Sequence, residues 1–271
     1  MSLKGNTFTI NGLAFNVTIE GRGSPVMLLH GFPDSAYLWR QQIPALVDAG
    51  FQVIAPDQRG MGETAAPIGR RHYAISELTS DMIGLMDVLG LEKATVVGHD
   101  WGSMVGWFLA MRHPQRIHRY VAVSVGHPRA YLRAGLGQMM RAWYAAIFLV
   151  PGLAEKLMPA GNWRILRMLG QPEVEHWIED LSRNGRLTAG LNWYRANAFG
   201  LLSQELSSVA VPTMGIWSTG DSYLSEEQMT GSADYVVSDW RYECIPGVGH
   251  WIPIEAARQL NTLLLDFIGQ P

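Results

Sequence analysis

One cysteine, Cys244, is all the thiol chemistry this chain has, which excludes an intrachain disulfide framework. It sits in the apolar-leaning run Tyr242 to Ile245, which predicts a buried, inert thiol and fits a reducing compartment. Long apolar runs are missing too: nothing approaches about eighteen uninterrupted apolar residues, and Met1-Ser2-Leu3-Lys4 leads into a Thr/Phe/Ile pattern without an apolar leader. A cytoplasmic protein with no membrane partner is expected. Cationic surplus is absent: 21 Lys and Arg stand against 24 Asp and Glu, for a net charge of −3. The chain average therefore supplies no basic face for nucleic acid or anionic membrane, and Arg70-Arg71 is too short to make one. Repeats, low-complexity tracts and flexible interdomain linkers are also absent. The histidines, His113 and His118 included, show no metal-ligand spacing with Cys or carboxylates, so neither metal nor cofactor is expected.

What is there is a strand–helix alternation. With 271 residues, 48% hydrophobic and 17% charged, the chain can build one large α/β domain with an insertion. Thr7 to Ile10 and Phe15 to Glu20 alternate around Asn11-Gly12, the pattern of a half-exposed antiparallel hairpin. Residues 25 to 29, PVMLL, are continuously apolar, as a strand buried on both faces must be, and a helix through Leu38, Ile43 and Leu46 follows. Phe51 to Ala55 repeats the strand pattern before a helix from Ile75 to Leu89. The apolar run from Ala94 that stops at Gly98, with Thr95, Val96 and Val97 as β-formers, and Arg119 to Val125 supply two further strands. From His127 to Ser208 the spacing is helical and rich in Trp, Arg, Leu and Met; strands then resume at Thr213 to Trp217 and Tyr242 to Ile245. A closing helix over Ala256 to Ile268 carries Leu260, Leu263, Leu264 and Phe267 on one side. The expected architecture is a mostly parallel sheet covered by helices on both faces. Residues 1–126 and 209–271 form its core, with a helical cap inserted at 127–208.

In open α/β sheets ligands sit beyond the carboxyl ends of the strands, so functional side chains should collect in the loops that follow them. Gly98-His99-Asp100-Trp101-Gly102 puts Asp100 on a strand-to-helix corner, between glycines that permit a tight turn, in the place where the G-x-S-x-G elbow carries serine. Taken alone, Asp100 reads more simply as a cap of the following helix. Other loops change the balance. His30-Gly31-Phe32-Pro33 follows the first buried strand, Ser218-Thr219-Gly220-Asp221 the next to last, and Gly247-Val248-Gly249-His250-Trp251 the last. Asp100, Asp221 and His250 thus occur in the order nucleophile, acid, base. The backbone N–H groups of Phe32 and Trp101 are candidate oxyanion donors. A carboxylate nucleophile attacks alkyl carbon and leaves an alkyl ester on the enzyme, whereas serine attacks acyl carbon.

Five motifs, HGFPDS (30–35), PDQRGMGET (56–64), VVGHDWG (96–102), STGD (218–221) and GVGHW (247–251), resemble the epoxide hydrolase and haloalkane dehalogenase branch of the α/β-hydrolases, over essentially the whole chain. The resemblance implies an enzyme with Asp100 as nucleophile, His250 as base for the hydrolytic water, Asp221 orienting His250, and Phe32 and Trp101 lending oxyanion-hole amides. It also implies two cap tyrosines that protonate an epoxide oxygen. In RAWYAAIFLVPGLAE the match falls on Tyr144, and in LNWYRAN on Tyr194. SVGHP (124–128) resembles the family's pre-cap segment, with Gly126 where Pro is more usual.

The substrate implied is a small apolar epoxide, with an alkyl halide as the alternative, and water. A halide site needs N–H donors. Trp101 offers one, but Phe32 stands where haloalkane dehalogenases commonly have Asn; cap Trp143, Trp163, Trp177 or Trp193 would have to substitute. No Arg follows Asp100 closely enough to clamp a fluoroacetate carboxylate. A silent hydrolase fold that binds an apolar molecule would not need Asp100, Asp221 and His250 together. The cap side chains Leu191 and Phe199, along with its tryptophans, would shape the pocket. A monomer and a homodimer are equally compatible with the sequence.

Overall fold

Asn11 and Gly12 turn the chain back on itself with positive φ, 50° and 76°, as a two-residue hairpin turn requires. The hairpin pairs strand β1 (Asn6–Ile10) with β2 (Leu13–Gly21), Ile10 facing Leu13. This computed structural model describes residues 5–168, 173–198 and 205–269. Phe199 and the first four residues lie outside that set.

β3 (Pro25–Leu29) leads through a 3-10 turn at Ala36–Trp39 into helix α1 (Gln42–Asp48). The single helix expected here is split because Pro44, lacking an N–H, is tolerated only in a first turn. β4 (Gln52–Pro56), α2 (Ile75–Val88), β5 (Ala94–His99), α3 (Trp101–Arg112) and β6 (Ile117–Val123) continue the alternation.

Among the described residues seven helices then intervene: α4 (Pro128–Arg133), α5 (Gly135–Arg141), α6 (Trp143–Leu149), α7 (Leu153–Leu157), α8 (Ala160–Arg167), α9 (Val174–Ser182) and α10 (Arg186–Asn197). The sheet resumes with β7 (Thr213–Ser218), α11 (Glu226–Thr230) and β8 (Trp240–Ile245), and the chain ends in α12 (Ile252–Glu255) and α13 (Ala257–Ile268). The closing amphipathic pattern is realised in α13, which buries Leu260, Leu264 and Phe267 and half-buries Leu263.

The eight strands stand in the order β1-β2-β4-β3-β5-β6-β7-β8, antiparallel at β1–β2 and β2–β4 and parallel from β4 onward. Every residue of β5 and β7 is buried, which requires cover on both faces of the sheet. Each fully buried Val, Ile or Leu there contributes about 1.5–3 kcal/mol. β8 is an edge strand and more open. Cys244 on it is exposed, so the expected buried thiol is corrected: it lies on the outermost strand, which has no further strand to cover it.

Specific polar contacts fasten the helical insertion to the sheet domain. Asn197 Oδ1 accepts the first N–H of α2, from Ile75, at 2.7 Å, and Trp193 Nε1 donates to the Arg59 carbonyl at 3.1 Å. Arg183 pairs with Glu63 at 2.8 Å. Inside the insertion Arg195 grips Glu155 at 2.6 Å.

Candidate active site

Asp100 sits at φ 54°, ψ −123°, a conformation that costs of order 1–3 kcal/mol for a residue with a side chain, directly between β5 and α3. The flanking glycines follow from close approach. A Cβ at Gly98 would overlap the backbone of Gly102, and one at Gly102 would overlap the carbonyls of Leu29 and His30. The sharp corner lifts the carboxylate off the end of β5 into the space beneath the insertion.

The Asp100 carboxylate is approached from two sides. Phe32 N–H donates to Oδ1 at 2.9 Å, and the backbone N–H of Trp101 adds a second bond. On the other side His250 Nε2 stands 3.6 Å from Oδ2. His250 Nδ1 lies 2.8 Å from Asp221 Oδ2, while Asp221 Oδ1 accepts the N–H groups of Tyr223 at 2.8 Å and Leu224 at 2.9 Å. Asp221 is therefore locked in place by its own loop and fixes which imidazole nitrogen carries the proton. The Asp100, Asp221 and His250 predicted from three separate loops converge, and so do the amides of Phe32 and Trp101.

Charge follows the same geometry. Burial alone would raise the Asp100 carboxyl, but the hydrogen bond and charge of His250 prevail and hold it below its ordinary value. Burial would lower His250; the Asp221 carboxylate, reinforced by Asp100, instead pushes it up to about 10. Two carboxylates thus flank the imidazole and favour its protonated form.

Two apolar cavities open beside Asp100, of about 210 Å³ and about 160 Å³. The residues that line both are Asp100, Tyr144 and Tyr194. The two predicted tyrosines, from α6 and α10, have ring centroids 6.4 Å apart. Burial drives both hydroxyls well above the ordinary tyrosine value, and neighbouring tyrosine and Asp100 charge adds to the effect, so each remains an O–H donor at neutral pH. Beyond this junction one cavity runs along Val125 and Tyr131, the other along Phe148, Tyr223 and Trp251.

Of the tryptophans considered as halide donors, two are committed elsewhere. Trp177 Nε1 donates to Asp34 at 2.8 Å and Trp193 to Arg59. Trp143 lines the smaller cavity but is largely exposed, and Trp163 lines neither. Leu191 is fully buried and also lines neither. Among the described residues no group of three His, Cys, Asp or Glu side chains converges as metal ligands do.

Sequence reasoning missed three neighbours. Asp34 is buried with one oxygen on Trp177 Nε1 and the other on Trp251 Nε1 at 3.0 Å; burial pushes its carboxyl up to about 7 against those two bonds. His99 Nε2 donates to the His250 carbonyl, 2.9 Å away, and burial lowers its pKa to about 4, which keeps it neutral beside His250. Tyr223 places its ring 5.4 Å from His250 and 5.5 Å from Tyr144. Asp34 and His99 stood inside quoted motifs, where their residue type was the available signal; nothing in the local pattern marked Tyr223.

Comparison with known proteins agrees with this geometry. The family model described as the α/β hydrolase fold matches residues 24–257. Epoxide hydrolase A of Mycobacterium tuberculosis is 34% identical with 95% of each chain covered, and the AB hydrolase superfamily protein YfhM of Bacillus subtilis is 33% identical with the same coverage. Among solved structures, epoxide hydrolase A from Mycobacterium thermoresistibile superposes with a TM-score of 0.85 at 30% identity, over 97% of each chain.

Proposed function

The chain belongs to the α/β hydrolase fold family, in its epoxide hydrolase branch, and we propose that it hydrolyses an epoxide to a vicinal diol through a covalent ester on Asp100. The observation that carries the mechanism is the junction of the two cavities, where a carboxylate and two un-ionised tyrosine hydroxyls share the same walls.

An epoxide at that junction receives hydrogen bonds from Tyr144 and Tyr194. Asp100 Oδ2 attacks a ring carbon, the carbon–oxygen bond breaks, and the leaving oxygen takes a tyrosine proton as its charge develops. Esterification also removes the Asp100 charge, one of the two anions that keep His250 protonated. The imidazole then gives its proton more readily to the tyrosinate that ring opening leaves, and serves as base. It takes a proton from water, whose oxygen attacks the ester carbonyl carbon, and the oxyanion forms on Oδ1 against the amides of Phe32 and Trp101. Collapse expels the diol oxygen, which takes the proton from His250; the proton left on the carboxyl passes to His250 and restores the starting charges of both.

In this reading residues 127–208 act as a cap that carries both tyrosines and excludes water, over a core of 1–126 and 209–271. A dehalogenase reading gains nothing from Trp177 and Trp193, whose N–H groups are already spent. A single turnover with enzyme in excess, run in heavy-oxygen water, tests the route. The diol should carry the light isotope and the peptide containing Asp100 should gain the heavy one. Heavy oxygen in the first-turnover diol would mean that Asp100 only positions water.

A further inference from the structure

Residues 127–170 carry six basic side chains, Arg129, Arg133, Arg141, Lys156, Arg164 and Arg167, against one acid, Glu155, in a chain whose net charge is −3. Glu155 is already neutralised by Arg195. All the basic residues except the half-buried Arg167 are exposed, and Lys156 and Arg164 make no ion pair among the described residues. The whole-chain average hides this segregation, which is why composition alone excludes a basic face.

The same stretch is unusually apolar at its surface. Among the described residues, every exposed large apolar side chain except Ile68, Val88 and Val237 lies between Leu132 and Met168. Leu136, Met139, Met140, Trp143 and Met168 are 67 to 75% exposed, far more than scattered surface residues need to be. Four side chains of this exposed apolar set also wall the cavities. Leu132 is exposed and also lines the larger cavity; Trp143, Leu157 and Ile165 are exposed and also line the smaller one. Each cavity is therefore walled in part by exposed apolar side chains of this cation-rich stretch.

A second copy of the chain is a poor occupant, because a twofold interface sets a patch against itself and would bring these cations together. An anionic lipid surface satisfies both features: basic side chains meet headgroup phosphates and the Leu, Met and Trp side chains enter the acyl boundary. We propose that the face formed by α4 to α8 docks on an anionic membrane surface, with the cavity mouths turned toward the lipid. Among the described residues no helix is long and apolar enough to cross a membrane, so attachment would be peripheral. Delivery of an apolar epoxide from the lipid rests on the catalytic reading above, whereas docking itself does not.

Flotation of the full chain with phosphatidylcholine vesicles and with mixed phosphatidylcholine–phosphatidylglycerol vesicles tests docking without reference to turnover. Binding is expected to the mixed vesicles and to weaken in high salt. Lys156→Glu with Arg164→Glu should weaken it by about twenty-five-fold or more, since each cation near the surface contributes about five-fold. Leu136→Ser with Met139→Ser should also weaken it. These four residues line neither cavity, so turnover of dissolved styrene oxide should stay unchanged. The proposal is overturned if the mixed vesicles do not bind the protein, or bind both double variants as well as the parent. A concentration-dependent dimer lost in Leu136→Ser with Met139→Ser, without vesicle binding, would overturn it in favour of a second copy.

Discussion

Phe32 and Asp100 are joined before any substrate arrives: the Phe32 N–H donates to Asp100 Oδ1 at 2.9 Å, which leaves Oδ2 to attack. One amide thus selects the attacking oxygen first and stabilises the oxyanion later. Gly31 is glycine because a Cβ there would overlap the Asp100 carboxyl. Gly31→Ala should displace the nucleophile by a fraction of an ångström to an ångström and lower kcat by about 100-fold. Steady-state kinetics beside a thermal melt checks this, since the expected loss of activity should come without comparable unfolding.

Asp221 tests the second half-reaction. Its carboxylate fixes the His250 tautomer and supports the base, but does not touch the reacting carbon. Asp221→Asn should allow alkylation and cripple ester hydrolysis, so rapid mixing should show a burst and mass spectrometry an adduct on the Asp100 peptide. Full steady-state activity would move the acid role to another carboxylate.

Tyr194→Phe removes one of two donors to the epoxide oxygen and should slow ring opening by about 10- to 1000-fold, with Tyr144 carrying the remainder. Any turnover of a bromoalkane, whose leaving group needs no proton, should barely change. Equal losses on both substrates would make Tyr194 a wall of the cavity and nothing more.

These residues also mark how far sequence reasoning reaches. Strand loops made Asp100, Asp221 and His250 legible because each combines a reactive residue type with a buried strand just before it. Gly98 and Gly102 were legible as a turn, although the collisions that require them depend on how closely α3 packs on the carbonyl ends of β3. The tyrosines came from family resemblance, since a Tyr on a helix has no local signature of catalysis. Asp34 was missed because its partners, Trp177 and Trp251, are far from it in the chain. Cys244 was misread because its run, Tyr242 to Ile245, reads as a strand, while its place on the outermost strand is set by sheet order.

The His250 shift has a consequence for stability. Its pKa is raised in the folded state to about 10 from an ordinary value of 6.5, so protonation favours folding. That contribution is fully present below about pH 6.5 and is lost as pH rises through about 10. The melting temperature of the free enzyme should therefore fall between pH 7 and pH 10 by an amount that shrinks in Asp221→Asn, in which the dominant anion beside His250 is gone. Thermal melts across that range check it, and an unchanged slope in the variant would place the pH dependence on other groups.

Two cavities meeting at Asp100 predict that an epoxide can carry a substituent on each ring carbon, one in each arm. The larger arm is lined by Ala142, Ala145 and Ala198, small side chains that leave its volume open, whereas the smaller arm is walled by Phe32, Trp143, Phe148, Tyr223 and Trp251. Ala145→Phe fills the first arm without touching the second or the candidate triad. A terminal epoxide that needs only the aromatic arm should keep its kcat/KM within a few-fold. A disubstituted epoxide such as trans-stilbene oxide has to place its second ring in the filled arm, and should lose at least the factor of about 10–200 that attends a methylene-sized misfit in an apolar pocket. Paired kcat/KM values for the two substrates measure the difference directly. Parallel losses would mean that terminal epoxides also use the first arm, and a loss confined to the terminal substrate would reverse the assignment of the arms.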